Sequence, residues 1–203
     1  MTLPTDEELQ TPHATLHTLT PLIDHFYADA PDLRHILLAH SRSVARKALA
    51  IARAHPELQL DADFLLAAAM LHDIGIIRCH APAICCHGTE PYICHGREGA
   101  AMLRALRGTA LLPAEAIEPL ARVCERHTGA GLTRRDIIAQ QLPLPPQDFL
   151  PETTAEQVVC YADKFFSKTR LDREKSVDEA AHSLAKFGAN GVERFRQWAL
   201  RFE

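Results

Sequence analysis

Apolar residues recur at spacings of three and four along most of the chain, the mark of helices with one buried face. Between Asp32 and Ala54, Leu37, His40, Val44, Ala48 and Ile51 form one such face. Phe64 to Leu71 is apolar on every side, which predicts a helix in the middle of the domain. Asp61 or Asp63 is its expected cap and Gly75 its expected stop. A further helix is predicted from about Gly96 to Leu106. The next opens at Pro113, with an inner face of Ile117, Leu120, Ala121 and Cys124 that His127 continues. Others run from about Thr133 to Gln140 and from Thr153 or Thr154 through Val158, Val159, Ala162, Phe165 and Phe166. Two more follow, broken near Gly188 to Gly191. Alternating β-branched runs, the sign of half-buried strands, are missing. The expected fold class is all-α, a single helical bundle with two structured loops. One loop, about Arg78 to Cys94, is dense in Cys, His and Pro; the other, Leu142 to Thr153, is rich in Pro. Residues 1–31 read as an N-terminal helical extension, 32–170 as the principal domain and 171–203 as C-terminal helices packed on the same domain. The charge run Arg170 to Lys175 reads as a solvated linker.

Composition then narrows the function. Lys plus Arg total 22 against 26 Asp plus Glu in 203 residues, a formal net charge of −4. That argues against nucleic acid held by phosphate neutralisation. No apolar stretch reaches about 18 residues, so no transmembrane helix and no membrane partner are expected. The start, MTLPTDEELQTPH, is acidic and lacks an apolar run, so no signal peptide is expected. Six Cys without an export signal suggest reduced thiols and a cytoplasmic location. Histidine stands out with 12 residues. It is the commonest metal ligand and the usual proton carrier near neutral pH, which raises a metal or catalytic hypothesis.

Position decides which histidines matter. The fully apolar helix delivers His72-Asp73 to the interior, where an unpartnered carboxylate is expensive and a metal ion satisfies both groups. His40 replaces an apolar residue on its helix face, and His127 lies on the buried face of its own. Asp163 stands at the buried edge of its helix, four positions after Val159, and His95 immediately precedes a helix. Mixed His and carboxylate donors suit divalent Fe, Mn, Co, Ni or Zn better than Ca or Mg.

These residues resemble the signature of the HD-domain superfamily of metal-dependent phosphohydrolases, H…HD…D. It is carried by His40 in LLAHSRSVARKALAIA, His72-Asp73 in LLAAAMLHDIGI and Asp163 in VVCYADKFFSK. His95 in ICHGREGAAMLRAL and His127 in RVCERHTGAGLT match two further histidines of the members that hold two metals. The whole is similar to small prokaryotic HDIG proteins of unassigned substrate, and more distantly to the bacterial HD-type symmetrical diadenosine tetraphosphatases. The resemblance implies that 32–170 is an HD domain. It implies that His40, His72, Asp73 and Asp163 hold one metal, and that Asp73 bridges to a second completed by His95 and His127. Asp73 and His72 are then also the catalytic pair, and a metal-activated hydroxide attacks the phosphoryl group.

The leading expectation is hydrolysis of a phosphomonoester or phosphodiester in a nucleotide or related small metabolite. Diadenosine tetraphosphate or a cyclic phosphate is the alternative substrate. A non-catalytic ligand-binding or signalling module is the alternative class. Neither a G-x-S-x-G nor a P-loop is present. Candidate substrate contacts are Arg78, Thr89, Tyr92, Arg126, Lys164 and Lys168. The resemblance departs at Ile76 and Ile77, where some two-metal members carry a lysine close after the doublet. The cyclic-dinucleotide activity of that version is therefore not expected. The Cys- and His-rich loop, with Cys79, Cys85, Cys86, Cys94, His80 and His87, reads as a lid with free thiols rather than as a separate zinc site.

Overall fold

The computed structural model of the chain describes residues 13–203; residues 1–12, including the acidic start and part of the expected extension, lie outside the described residues. Among the described residues the helices are α1 (His13–Tyr27), α2 (Pro31–Ala54), α3 (Ala62–Leu71), α4 (His95–Arg104), α5 (Ala114–Arg126), α6 (Arg134–Ala139), α7 (Thr154–Asp163), α8 (Val177–Leu184) and α9 (Ala189–Phe202). None is long and apolar enough to cross a membrane. The fold is helical, as the periodicity predicts. Asp61 caps α3 by accepting the backbone N–H groups of Asp63 and Phe64. Thr133, Thr153 and Ser176 open α6, α7 and α8, each in a reciprocal box closed by Asp136, Glu156 and Glu179.

The apolar helix α3 occupies the centre, packed by α1, α2, α5 and α7. Its Leu65, Leu66, Ala69 and Leu71 have no exposed surface. Residues from α1, α8 and α9 join the same core. Tyr161 of α7 stacks on Phe195 of α9 at 4.9 Å and meets Phe202 edge-on at 5.6 Å. Its hydroxyl donates to Glu203 at 2.9 Å, so the apolar body is buried while the polar tip is satisfied.

Local structure departs from the expectation in three places. Gly75 does not end α3 in a left-handed cap; it lies inside a 3-10 turn, Ile74–Arg78, that extends the helix. The charge run is not a linker. Its Arg170–Glu174 forms strand β5, paired antiparallel with β4 (Phe166–Ser167). The first loop folds into a small sheet of β1 (Cys79–Ala81), β2 (Cys86–His87) and β3 (Glu90–Pro91), in the order β2-β1-β3.

Close packing explains the glycine. A Cβ on Gly75 would lie 2.2 Å from the backbone nitrogen of Gly99 and the carbonyl oxygen of His95, both in α4. Gly96 similarly lets α4 approach α5, since a Cβ there would lie 2.4 Å from the Cys124 carbonyl oxygen. Backbone cannot yield as a flexible side chain would. Gly75→Ala is therefore expected to destabilise the protein by about 3 kcal/mol and to lower Tm by about 6–12 °C. Gly191→Ala, whose Cβ meets nothing within 4 Å, is expected to leave Tm unchanged or slightly raised. Paired thermal melts check both; equal Tm values for Gly75→Ala and the parent would contradict the packing account.

Candidate metal centre

Each ligand-type side chain is set in place by a helix face or a helix end. His40 projects from the inner face of α2 and is 1% exposed. His72 caps the C-terminus of α3, and Asp73 follows it with φ −103° and ψ 10°. That is the sparsely populated bridge region, common at active sites. Both side chains have no exposed surface. His95 is the first residue of α4, His127 caps the end of α5, and Asp163 is the last residue of α7. The glycine-mediated approach of α4 to α5 brings His95 and His127 together.

Backbone carbonyls hold the rings. The Nδ1–H groups of His72, His95 and His127 donate to the carbonyl oxygens of Ala69, Tyr92 and Cys124 at 2.6–2.7 Å. Each acceptor lies three residues earlier, so the local turn fixes both tautomer and orientation. Several carbonyls at the ligand-bearing turns are satisfied in their turn by buried groups. The Tyr27 hydroxyl donates to Ile74 at 2.7 Å, and the thiols of Cys124 and Cys160 donate to Leu71 and His127 at 3.3 Å. All six cysteines are free, and none belongs to a metal-ligand group among the described residues.

Two groups result: His40, His72, Asp73 and Asp163, and Asp73, His95 and His127. Within each, the candidate ligand atoms lie within 4.8 Å of one another. Asp73 belongs to both and divides its oxygens between them. Its Oδ2 lies 3.1 Å from His40 Nε2 and 3.0 Å from His72 Nε2. Its Oδ1 lies 3.5 Å from His95 Nε2 and 3.4 Å from His127 Nε2. Asp163 Oδ1 closes the first group at 2.9 Å from His40 Nε2.

The donor set fits divalent cations. With Nδ1–H spent on carbonyls, a neutral imidazole presents an Nε2 lone pair to the centre. His95 Nε2 and His127 Nε2 face each other at 3.0 Å, an arrangement of two lone pairs that calls for a cation or proton between them. Both Asp73 oxygens are buried and lack a hydrogen bond of acceptable geometry. Oδ1, which faces only the His95 and His127 nitrogens, is the acceptor that an ion would satisfy.

Charge neutralisation is already partial. Lys168 Nζ stands 2.5 Å from Asp73 Oδ2, and Lys164 Nζ 2.5 Å from Asp163 Oδ2. Burial would raise the Asp73 carboxyl, but Lys168 and the surrounding imidazoles hold it well below the usual carboxylate range. Asp163 is lowered against burial by Lys164, His40 and His72. The imidazoles diverge. Burial would lower His72, but the Asp73 charge and the hydrogen bonds His72 donates to Asp163 and Asp73 push it up to about 9. Burial and the neighbouring His127 push His95 down to about 3. Burial also lowers His127.

A cavity of about 420 Å³ opens over His95, His127 and Asp163. Of the expected substrate contacts, Tyr92, Lys164 and Lys168 line it. Tyr92 stacks on His95 at 4.8 Å. Lys164 reaches the cavity although it adjoins Asp163, because its long side chain folds back onto Asp163 and the His127 carbonyl at 2.9 Å. Arg78, Thr89 and Arg126 lie outside the cavity lining. Arg78 is exposed and faces Glu98 at 3.5 Å. Thr89 is exposed in the bend between β2 and β3. Arg126 is taken by Glu152 at 2.8 Å and the Leu150 carbonyl at 3.2 Å.

Sequence reasoning missed part of the cavity wall. Ile93, Lys175, Lys186 and Phe187 also line the cavity. Lys175 lies at the end of the run taken as a linker, and Phe187 lies in a segment that carries no ligand-type motif. The Pro-rich loop supports this wall from behind: Phe149, Leu142 and Leu144 pack with Ile93 and Phe187.

Comparison with known proteins places this geometry in a lineage. The family model for the HD domain matches residues 37–167. The uncharacterized protein MJ0778 of Methanocaldococcus jannaschii is 34% identical over 139 residues, covering 68% of this chain and 70% of that protein. Proteins named tRNA (cytidine(56)-2'-O)-methyltransferase from Thermoplasma volcanium and Picrophilus torridus are 30% and 31% identical, covering 74% and 67% of this chain. The chain spans only 40% and 33% of their lengths. No solved structure matches. The matched span opens just before His40 and closes just after Asp163, enclosing all six converging side chains, and the chain belongs to the HD-domain family.

Proposed function

We propose that the protein is a metal-dependent phosphohydrolase that cleaves a phosphomonoester or phosphodiester bond in a small, nucleotide-like anion, using two divalent ions. The observation that carries this reading is the division of Asp73, one oxygen to each histidine group. His40, His72, Asp73 and Asp163 would hold one ion, and Asp73, His95 and His127 the other. Such ions supply a water-derived nucleophile at neutral pH and neutralise phosphoryl charge.

The remaining parts of the reaction fall to this chain's own groups. The cavity opens on the side of His95, His127 and Asp163, so the phosphoryl group enters from there. Lys168 stays an ammonium, because Asp73, Tyr92 and Asp163 raise its pKa against burial. It can pass from Asp73 to a phosphate oxygen without losing its charge. Lys164 is anchored twice and restrains Asp163 at the cavity floor. Tyr92 keeps its phenolic proton, since burial raises it. Its stacking on His95 closes one side of the floor. The methyltransferase activity printed for two relatives is not carried over, because the chain spans less than half of each. A non-catalytic binding module remains the outcome if metal binds and no phosphate is released.

Metal analysis and phosphate release test this reading together. Protein loaded with Mn, Fe, Co or Ni is expected to hold two ions per chain and to release phosphate from at least one of a panel of nucleotides and p-nitrophenyl phosphate. His127→Ala is expected to hold one ion, and Asp73→Ala is expected to lose at least about 100-fold in metal affinity or activity. Full activity in Asp73→Ala would contradict the mechanism. Lys168→Met is expected to keep both ions and lose about 10²–10³-fold in kcat. Unchanged kcat in that variant would remove Lys168 from the reaction.

The histidine electrostatics add a pH dependence. Without metal, His72 is protonated below about 9, and a metal ion must displace that proton. His95 and His127 are neutral at pH 7 and release none. Affinity at the His40, His72, Asp73 and Asp163 group is therefore expected to rise with pH up to about 9, by about tenfold per unit for one released proton. A flat or falling profile between pH 6 and 8 would contradict this assignment.

A further inference from the structure

Part of the cavity lining comes from charged residues beyond the span matched to the HD domain. Lys175 follows β5, and Lys186 and Phe187 lie in the 3-10 turn Ala185–Phe187 that links α8 to α9. All three line the cavity. Lys175 is half-buried, and its ammonium donates to the Lys164 carbonyl oxygen at 3.0 Å. One of its three protons is used there, leaving two for a ligand. The Lys186 ammonium stands 5.0 Å over the ring of Phe187.

The ion pairing separates these lysines from the other two. Lys164 and Lys168 each pair with a carboxylate of the metal centre. Lys175 and Lys186 have no ion-pair partner among the described residues. Burial and the like charges of Lys164, Lys186 and Arg170 depress the Lys175 ammonium against the pull of Asp163. Four lysines thus face one cavity in a chain of net charge −4. Asp163 also lines the cavity and pairs with Lys164, so the lysines free to focus positive potential on its contents are Lys175 and Lys186.

The wall is also held in place. Gln140 donates to the Phe187 carbonyl at 3.2 Å. Arg194 of α9 donates to the carbonyls of Ala130 at 2.6 Å and Gly131 at 3.2 Å. The Phe187 ring lies 3.4 Å from where a Cβ on Gly129 would be, and Gly129 has φ +63°, so a side chain there is disfavoured on both counts.

We infer that Lys175 and Lys186 form a second anion subsite, so that the substrate carries a further negatively charged group besides the phosphoryl group that is cleaved. Lys175, held on the Lys164 carbonyl, and Lys186, over the Phe187 ring, line the same cavity as His95, His127 and Asp163. A volume of about 420 Å³ suits a nucleotide-sized molecule with two such groups. This inference rests on the phosphohydrolase reading and deepens it.

Calorimetric titration of the metal-loaded, full-length protein tests it, with adenosine 5′-monophosphate and adenosine 3′,5′-bisphosphate as probes. The bisphosphate is expected to bind about tenfold tighter or more, as charge-assisted hydrogen bonds do. In the double variant Lys175→Gln/Lys186→Gln that ratio is expected to fall to within about twofold. Arg53→Gln removes one exposed charge from α2 and is expected to keep the parent ratio. Should the double variant misfold by circular dichroism, the exposed Lys186→Gln carries the test alone, with a drop in the ratio of about threefold or more. Equal binding of the two probes by the parent, or a ratio that the lysine variants leave unchanged, overturns the subsite. Phosphate release from p-nitrophenyl phosphate with an unchanged ratio overturns the subsite alone. Absence of both phosphate release and nucleotide binding overturns the phosphohydrolase reading, and the subsite with it.

Discussion

A carboxylate with no exposed surface must meet positive charge or be neutralised, and Asp73 imposes that condition on everything around it. The interior answers with four imidazoles and one ammonium within 3.5 Å of its two oxygens. An isolated buried ion pair is weak support for a fold, since desolvation offsets most of its Coulombic gain. A cluster of this size with three rings locked by backbone carbonyls is costly to assemble without a further purpose. Cation binding supplies that purpose, because the Nε2 atoms converge where an ion would be shared.

The backbone makes the convergence possible. His72 and Asp73 leave α3 through a bridge-region residue into a 3-10 turn, and Gly75 lets that turn lie directly on α4. Gly96 brings α4 onto α5 in the same way. Without these approaches His95 and His127 would stand too far from Asp73 Oδ1 to share it. The glycine of the HDIG run thus acts through packing and only indirectly on the chemistry.

The ligand set was legible because each member broke a pattern. His40 interrupts an apolar face, His72-Asp73 ends a fully apolar helix, and Asp163 sits at a buried edge. The role of Gly75 was not, because close approach to a distant helix leaves no mark in local periodicity. Nor could sequence order rank Arg126, Lys164 and Lys168, three basic residues on or near ligand-bearing helices. Their fates depend on partners far along the chain: Glu152 takes Arg126, whereas Asp73 takes Lys168. The Arg170–Lys175 run misled for a related reason. Its charges are solvated, with Arg170, Asp172, Arg173 and Glu174 exposed, yet β5 pairs with β4 and Lys175 lines the cavity.

The most direct measurement of the central claim is the anomalous diffraction of crystals loaded with Mn or Fe. The account predicts two peaks about 3.5–4 Å apart, one on each side of the Asp73 carboxylate, with Lys168 displaced from Oδ2. A single peak bound by His40, His72 and Asp163, with His95 and His127 in contact and Lys168 still on Asp73, would contradict it.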